Sequence, residues 1–478
     1  MVIDISKRLA WCLILYLVVW CHSPGWCEQD APPDYQQLTF EPLSWPEPQM
    51  KTFTMENGIR FFMIKDHELP LVQVQVMVRS GGFEVPADKT GLARLTGEVM
   101  RSGGTAQYPP RELNKLLADK GARMKIGFDF ISGSAKLNLL SEDLSELMPV
   151  LVDVLHQPAF PNDKIKLAKQ QLKTQIARRN DEQGSIAMRA YKRLIYGSDS
   201  VYAREPEYQT VNNIDRNDLK RFHQQAYQGA NMMVGIAGDF DPPAIRRLFE
   251  KEFSVFSKGN QTHVDLPSAE KNRKESALYV IKKSDVNQTY LLMGHLGGRR
   301  QNPDYAALQA MNKVLSGGFS GRLFEEVRTQ RGLAYAVFGR YGCHFFYPGM
   351  FFVGLMTKTA TTAQAVRVVK QELKRIQQDV APQEVRQAKA EFLNSLVFQY
   401  ARPAEILNRR LHYAYRGMAS DSFQQLTREI REVTPDDVLQ VAREYLHPDE
   451  LVVLAVGEKG KLVDQLQAMG KVEVMHQP

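Results

Sequence analysis

One pattern occurs twice in this chain, and this duplication limits the possible folds more than any other feature of the sequence. Residues 218–239 read DLKRFHQQAYQGANMMVGIAGD, and residues 437–458 read DVLQVAREYLHPDELVVLAVGE. Each copy contains an amphipathic helix, a tyrosine, a turn and an apolar strand that ends in glycine and an acid. The copies lie about 218 residues apart, which is the size of a domain. The sequence therefore predicts two similar halves and not a solenoid.

Composition supplies the remaining boundaries. Residues 28–50 are rich in proline and predict an extended lead-in segment, whereas residues 257–276 are polar and rich in turn formers, as an exposed linker would be. The first half is therefore expected over residues 51–256 and the second over residues 277–470. Residues 1–27 are interpreted as a signal peptide.

The evidence for that signal peptide lies in its first two regions. Lys7 and Arg8 precede the uncharged run LAWCLILYLVVW, which is short for a membrane span but suits the apolar core of a secretory signal. We therefore expect the protein to be exported, to the periplasm. If the leader is not cleaved, it would instead anchor the protein in the membrane. Lipid attachment at Cys21 is less favoured, because Trp20 stands where a small residue is expected.

The composition of the chain excludes several classes of protein. Charged residues make up 24% and hydrophobic residues 44% of its 478 residues, as in ordinary globular proteins. The net charge of +7 is too dilute for a nucleic-acid-binding surface. Three of the four cysteines lie in the leader, so only Cys343 surely remains in the mature chain, and no internal disulfide is expected.

Regular elements are predicted from periodicity. Residues 53–66 are expected to form a hairpin around Asn57 and Gly58, and residues 71–78 alternate as a half-buried strand. Residues 91–101 place apolar side chains on one face of a helix.

The densest motif is a glycine-rich turn followed by a helix, SGGFSGRLFEEVRTQRGLAYAV, over residues 316–337. It lacks the spacing of a phosphate-binding loop. By composition alone, Arg328 would be a surface arginine and Tyr335 a half-buried tyrosine. The run, however, resembles the second-half motif R-x-x-x-G-L-x-Y of the pitrilysin/insulinase family of zinc peptidases, whose mitochondrial processing peptidase branch has duplicated halves of this size. The resemblance implies that Arg328 holds substrate carbonyl groups and that the hydroxyl of Tyr335 stabilises the oxyanion.

The first half resembles the same family but departs from it where the chemistry requires specific residues. The family has G-L-A-H-x-x-E-H where this chain has Arg94, Gly97 and Glu98 at the two histidine positions and the glutamate position. The third zinc ligand, a glutamate in the family, corresponds to Gln175. A zinc site needs imidazole or carboxylate ligands and a base that takes a proton from water. We therefore expect no metal or other cofactor in this chain, and zinc in a partner subunit.

The substituted residues allow two interpretations. Arg94 and Glu98 are four residues apart on a helix and can form an ion pair. In one hypothesis, Arg94 maintains positive potential in the cleft without Lewis acidity. In the other, the pair is an ordinary surface ion pair that contributes little. The remaining histidines form no metal-binding pattern, and His295 is retained only as a possible cleft residue.

The resemblance covers roughly residues 52–458 and implies both a fold and a function. The fold is α+β, with two homologous halves that each have an antiparallel-dominated sheet flanked by helices, and the halves enclose a cleft. The leading hypothesis is a non-catalytic subunit of an exported zinc metallopeptidase, inactive alone. It would supply Arg328, Tyr335 and part of the chamber wall to a homologous subunit that carries H-x-x-E-H and would bind an extended peptide. A structural or peptide-binding protein without proteolytic role, like the core subunits of the respiratory cytochrome complex, is the alternative. A self-sufficient peptidase is the least favoured.

Overall fold

The computed structural model describes residues 48–269, 276–284, 286–400 and 402–478. The predicted signal peptide and nearly all of the proline-rich lead-in lie outside these residues. The chain from residue 47 onward forms one compact unit, so the two halves can be described together. Within the described ranges, no helix has both the length and the apolar character needed to cross a membrane.

The first half is built on a six-stranded sheet with the order β1-β2-β6-β3-β5-β4. Its strands are β1 (Met50–Thr54), β2 (Arg60–Lys65), β3 (Leu71–Val78), β4 (Arg123–Phe128), β5 (Gly133–Leu140) and β6 (Met232–Gly238). Only β2 and β6 pair in parallel. The predicted hairpin is the pair β1–β2, and Gly58 adopts the positive φ of 86° that its turn requires.

The second half is built on a seven-stranded sheet with the order β13-β7-β12-β8-β11-β10-β9. Its strands are β7 (Ala277–Lys282), β8 (Gln288–Leu296), β9 (Gly298–Arg299), β10 (Ala334–His344), β11 (Pro348–Lys358), β12 (Val452–Gly457) and β13 (Val472–Met475). The run β7-β12-β8-β11-β10 has the same order as β2-β6-β3-β5-β4 in the first half. This correspondence confirms the predicted α+β class with two homologous halves.

Helices cover both sheets. The first half contains α1 (Leu92–Gly103), α2 (Pro110–Asp119), α3 (Leu144–His156), α4 (Asn162–Arg178), α5 (Gln183–Tyr196), α6 (Tyr208–Asn213), α7 (Arg216–Ala226) and α8 (Pro242–Glu252). The second contains α9 (Tyr305–Ser316), a π-helix (Phe324–Gln330), α10 (Thr362–Arg375), α11 (Pro382–Tyr400), α12 (Pro403–Arg416), α13 (Ser422–Glu432), α14 (Pro435–Tyr445) and α15 (Lys459–Gln467). The repeated sequence pattern becomes α7 followed by β6 in one half, and α14 followed by β12 in the other.

Each half lends one helix to the sheet of the other half. Helix α5 packs Tyr191 against Leu292 and Leu454 of the second sheet. Helix α12 packs Leu407 against the first sheet so closely that a Cβ atom on Gly235 of β6 would lie 2.8 Å from its side chain. We call the sheet face covered in this way the inner face of each half. Because apolar side chains from both halves fill these layers, the exchange holds the two halves together.

Candidate functional site

Helix α1 carries three of the four positions that correspond to a zinc site, and its packing excludes a side chain at one of them. Leu95 and Val99 are buried in the core of the first half. Gly97 lies against strand β4, where an added Cβ atom would be 2.7 Å from the Cα of Gly127. That distance is too short for any side chain without movement of the backbone. The place of the family's catalytic glutamate is therefore closed by packing.

Arg94 bonds across to the neighbouring helix. Its Nη2 donates a hydrogen bond to Oε1 of Gln175 on α4. Within the described part of the chain, Arg94 forms no salt bridge, so the expected ion pair with Glu98 is not present. Burial raises the pKa of the Glu98 carboxyl, and the positive charge of Arg94 opposes that rise. The four-residue spacing would allow an ion pair between Arg94 and Glu98, but the guanidinium of Arg94 donates its hydrogen bond to Gln175 instead.

The four positions Arg94, Gly97, Glu98 and Gln175 lie on two packed helices, α1 and α4. They offer one carboxylate, one amide oxygen and no imidazole, and this donor set does not fit a zinc ion. Among the described residues, no group of three or more histidine, cysteine, aspartate or glutamate side chains is placed to hold a metal. In this chain a hydrogen bond joins the two helices that would share a metal in the peptidases it resembles.

A cavity of about 280 Å³ opens beside Arg94. It borders the end of β4 and is lined by Gly82, Val85, Thr90, Gly91, Ala93, Arg94, Phe128, Asp129, Phe130, Val201, Arg204, Glu205 and Pro206. Its wall combines aromatic rings with charges of both signs. Such a cavity has room for a side chain of a peptide and has groups that can position it.

The segment that carries Arg328 is a π-helix held by ion pairs. The guanidinium of Arg322, just before it, is only 5% exposed and contacts both carboxylate oxygens of Glu384 at 2.6 Å. Glu326 within it pairs with Arg331 and Arg375. A π-helix is rare and is frequently found at functional sites. Its sequence predicts only a helix, and the wider turn was not foreseen.

The structure brings Arg328 and Tyr335 together at the surface. The guanidinium carbon of Arg328 lies 4.9 Å from the ring centre of Tyr335 and 4.6 Å from that of Phe324. Tyr335 is 84% exposed. Among the described residues, the Arg328 side chain has no hydrogen-bond or carboxylate partner. Both polar groups are therefore available to a ligand.

An irregularity in strand β10 accounts for the exposure of Tyr335. Ala334 pairs with Thr357 and Val337 pairs with Leu355, so β10 contains one extra residue in this interval. Ala334 and Val337 both pack against the core of the second half, although they are three residues apart. A bulge of this kind redirects side chains at the edge of a sheet. Composition alone suggested a half-buried tyrosine, and it could not indicate the bulge.

His295 does not reach a cleft. It is 4% exposed, and its ring lies 4.9 Å from the rings of Phe351 and His447. Its Nδ1 donates to the carbonyl oxygen of Leu296, and its Nε2 accepts from the main-chain nitrogen of His447. The expectation of a cleft residue was therefore wrong: His295 is a buried structural histidine with both ring nitrogens bonded.

Comparisons with known proteins agree with this architecture. The family described as "Insulinase (Peptidase family M16)" matches residues 60–201, and the "Peptidase M16 inactive domain" matches residues 213–392. A relative from Helicobacter pylori, "Non-peptidase homolog YmxG", is 23% identical over 401 residues, which cover 83% of this chain and 91% of the relative.

Two solved structures share the fold. A peptidase M16 inactive domain from Pseudomonas fluorescens has a TM-score of 0.77 and 23% identity, and the match covers 86% of this chain and 98% of that one. The periplasmic protease PqqL from Escherichia coli has a TM-score of 0.71 and 14% identity, and the match covers 89% of this chain and 47% of PqqL.

The two homologous α+β halves, with helix α1 in the first and the π-helix that carries Arg328 in the second, define the fold of a peptidase family. This chain belongs to peptidase family M16, as a member in which R-x-x-G-E stands where H-x-x-E-H is required for zinc.

Proposed function

We propose that this chain is the non-catalytic subunit of an exported zinc metallopeptidase complex. The observation that carries the proposal is the contrast between the two sites. In the first half, Gly97 is closed in by packing and Arg94 is bonded to Gln175. In the second half, Tyr335 is exposed and Arg328 is half-buried, and among the described residues neither side chain has a hydrogen-bond or carboxylate partner. The chain has kept side chains that can grip a peptide and has lost those that activate water.

The pair suits a role beside a metal site on another chain. The guanidinium of Arg328 has five N–H donors for the carbonyl groups of an extended peptide. The phenol of Tyr335 donates one hydrogen bond, which stabilises a tetrahedral intermediate only as negative charge develops on its oxygen. A zinc ion held by the partner would supply the activated water. The ion pairs of Arg322 and Glu326 would hold the π-helix, and with it the guanidinium of Arg328, in place.

The size of a related protease supports a homologous partner. PqqL superposes on this chain over only 47% of its own length, so it has room for two units of this size. This chain supplies one such unit. We therefore propose that its partner is a second M16 chain that contains an intact H-x-x-E-H motif.

Activity of the complex tests the proposal. The chain is purified alone and with an M16 chain from the same source that carries H-x-x-E-H, and cleavage of an unstructured peptide is measured. Tyr335→Phe in the complex is expected to lower kcat by about 10² or more, as loss of an oxyanion donor does. Arg328→Ala is expected to raise KM. The matched control is Arg367→Ala, which removes the same charge from an exposed arginine of α10 and is expected to leave kcat and KM unchanged.

Three results would contradict the proposal. Full activity in the Tyr335→Phe and Arg328→Ala complexes would favour a structural role for this chain. One equivalent of zinc in the isolated chain, together with hydrolysis, would make it a peptidase in its own right. If the protein is found in the cytoplasm with residues 1–27 still attached, the proposal that it is exported is wrong.

A further inference from the structure

Three arginines lie around Tyr305, near enough for the charge of each to act on its hydroxyl, and we call them the cationic cluster: Arg300, Arg340 and Arg416. Arg300 follows β9, and its main-chain nitrogen donates to the carbonyl oxygen of His344 at 2.9 Å. Arg340 lies in β10 opposite Phe352, a residue that packs with α5 on the inner face of the second sheet. Arg416 ends α12, the helix that covers the inner face of the first sheet.

Aromatic rings contact the guanidinium groups of Arg300 and Arg416. Arg300 lies 3.5 Å above the ring centre of Tyr305, and Arg416 lies 5.9 Å from that of Phe345. Within the described ranges, none of the three arginines forms a salt bridge, and the buried Nε of Arg416 has no hydrogen-bond partner. Arg322, elsewhere in the second half, is paired with Glu384 and in this respect differs from the three arginines of the cluster.

The pKa values of Arg416 and His344 reflect the positive charge gathered at the cluster. Burial lowers the pKa of Arg416, and the charge of Arg300 lowers it further. Burial also lowers the pKa of His344, and Arg340, Arg416 and Lys192 add to the effect. Like charges that are partly removed from water repel each other unless an anion is present.

The nearby acids are already engaged. Glu205 pairs with Lys192 at 3.5 Å. Asp129 accepts hydrogen bonds from the main-chain nitrogens of Ile131 and Ser132, and from the hydroxyl of Ser132, within its own turn. Neither carboxylate forms a salt bridge with the cationic cluster. The cluster therefore has donors for an anion that comes from outside the chain.

Strand β10 connects this cluster to the site of the proposed function. Tyr335 and Arg340 are both on β10, five residues apart, and this corresponds to about 16 Å of extended chain. We propose that the cationic cluster binds a carboxylate group of an extended peptide, about five residues away from the peptide bond that lies at Tyr335. The inference rests on the proposed function in taking a peptide as the ligand. The carboxylate comes either from an acidic side chain or from the C-terminus of the peptide.

Binding of three labelled peptides to the full chain tests the inference without any partner. One peptide has glutamates near its end and an amidated C-terminus, the second has glutamines in their place and is also amidated, and the third has the glutamines and a free C-terminus. Fluorescence anisotropy at low ionic strength is expected to show at least about tenfold tighter binding of one charged peptide than of the neutral one. The charged peptide that binds better identifies the source of the carboxylate.

Single substitutions locate the effect. Arg340→Gln and Arg416→Gln are expected to remove most of the preference, because each takes away a charged donor. Arg247→Gln is the matched control, since Arg247 is an exposed arginine of α8 with the same charge. Thermal unfolding checks that each variant is folded. Arg340→Lys, which keeps the charge but loses the planar fork, is expected to retain part of the preference and replaces any glutamine variant that does not fold.

Several outcomes overturn the inference: equal binding of the three peptides, no binding of either charged peptide, or an equal loss in the Arg247→Gln control. These outcomes differ from a failure of the proposed function. That failure would appear as unchanged proteolysis in the Tyr335→Phe complex, whereas the preference for a carboxylate is measured on this chain alone.

Discussion

The two regions that identify this chain as an M16 protein have opposite surroundings. In the first half, Gly97 is pressed against Gly127 and Arg94 is bonded to Gln175, so the side chains have become part of the packing between α1, α4 and β4. In the second half, Arg328 and Tyr335 contact each other, and within the described ranges no residue hydrogen-bonds to the polar atoms of their side chains. The difference indicates that one site has been converted to structure, while the other still offers groups to a ligand.

The largest expected effect concerns the return of the missing glutamate. Gly97→Glu places a Cβ atom 2.7 Å from the Cα of Gly127 and forces the backbone to move. We expect a loss of more than about 3 kcal/mol in the free energy of unfolding, measured by urea denaturation. Gly127→Ala is the control on the other side of the same contact, because its Cβ atom meets nothing within 4 Å. If Gly97→Glu is as stable as the control, the first site is not closed by packing.

Substitution of two arginines of the second half distinguishes a side chain that stabilises the fold from one that is available to a ligand. Arg322→Ala leaves Glu384 without its partner, and we expect a loss of about 3 kcal/mol in thermodynamic stability. Arg328→Ala removes a side chain that has no hydrogen-bond or carboxylate partner among the described residues and contacts only two aromatic rings, so we expect a loss of about 1 kcal/mol or less. Denaturation of both variants under one set of conditions measures the difference. A large loss for Arg328→Ala would show that this residue, too, belongs to the structure.

The duplicated helices α7 and α14 are expected to respond differently to acid. Burial lowers the pKa of His223 on α7 from 6.5 to about 4, while Leu155 accepts a hydrogen bond from its ring. The equivalent position on α14 is Ala442, which does not titrate. Because the unfolded chain binds the proton more readily, stability contributed by neutral His223 is complete above pH 6.5 and is lost as the pH falls towards 4.

The expected loss from His223 is about 3 kcal/mol across this interval. Urea denaturation at several pH values measures it, and His223→Gln is expected to flatten the curve. His412, whose pKa is also lowered by burial to about 4, remains in that variant and keeps part of the slope. An unchanged slope in His223→Gln would assign the acid sensitivity to other groups.

The smallest expected effect is the link between α1 and α4. Both Arg94 and Gln175 are exposed, so their hydrogen bond is expected to contribute about 0.5 kcal/mol. A double-mutant cycle with Arg94→Ala and Gln175→Ala measures the coupling energy directly. Zero coupling would reduce Arg94 to a surface arginine, whereas a value above about 1 kcal/mol would show that the bond is a main tie between the helices.

Much of the fold could be predicted from the sequence because its signals are local. Strand β3 was expected over residues 71–78 and is found there, and the Asn57-Gly58 turn gives the hairpin β1–β2. Strict alternation and a turn that needs positive φ depend only on neighbouring residues. The exchange of α5 and α12 between the halves was not predicted, because an apolar helix face does not show which sheet it will cover.

The sequence predicted which residues belong to the candidate site, but it did not predict the contacts that these residues make. The spacing of Arg328 and Tyr335 identified the pair, but the π-helix and the bulge in β10 that present it depend on distant partners such as Glu384 and Thr357. Likewise, the four-residue spacing favoured an Arg94–Glu98 ion pair, and only the packing of α4 brings Gln175 to the guanidinium instead.

The sequence by itself determined that this chain has two homologous halves and that its zinc-site positions hold no imidazole and only one carboxylate, that of Glu98. Both facts follow from residue identity and spacing, which need no coordinates. The tertiary structure decided that Gly97 has no room for a side chain, that His295 is buried, and that the three arginines around Tyr305 form no salt bridge with any described residue. These properties arise from atoms far apart in the chain, and only packing fixes their distances.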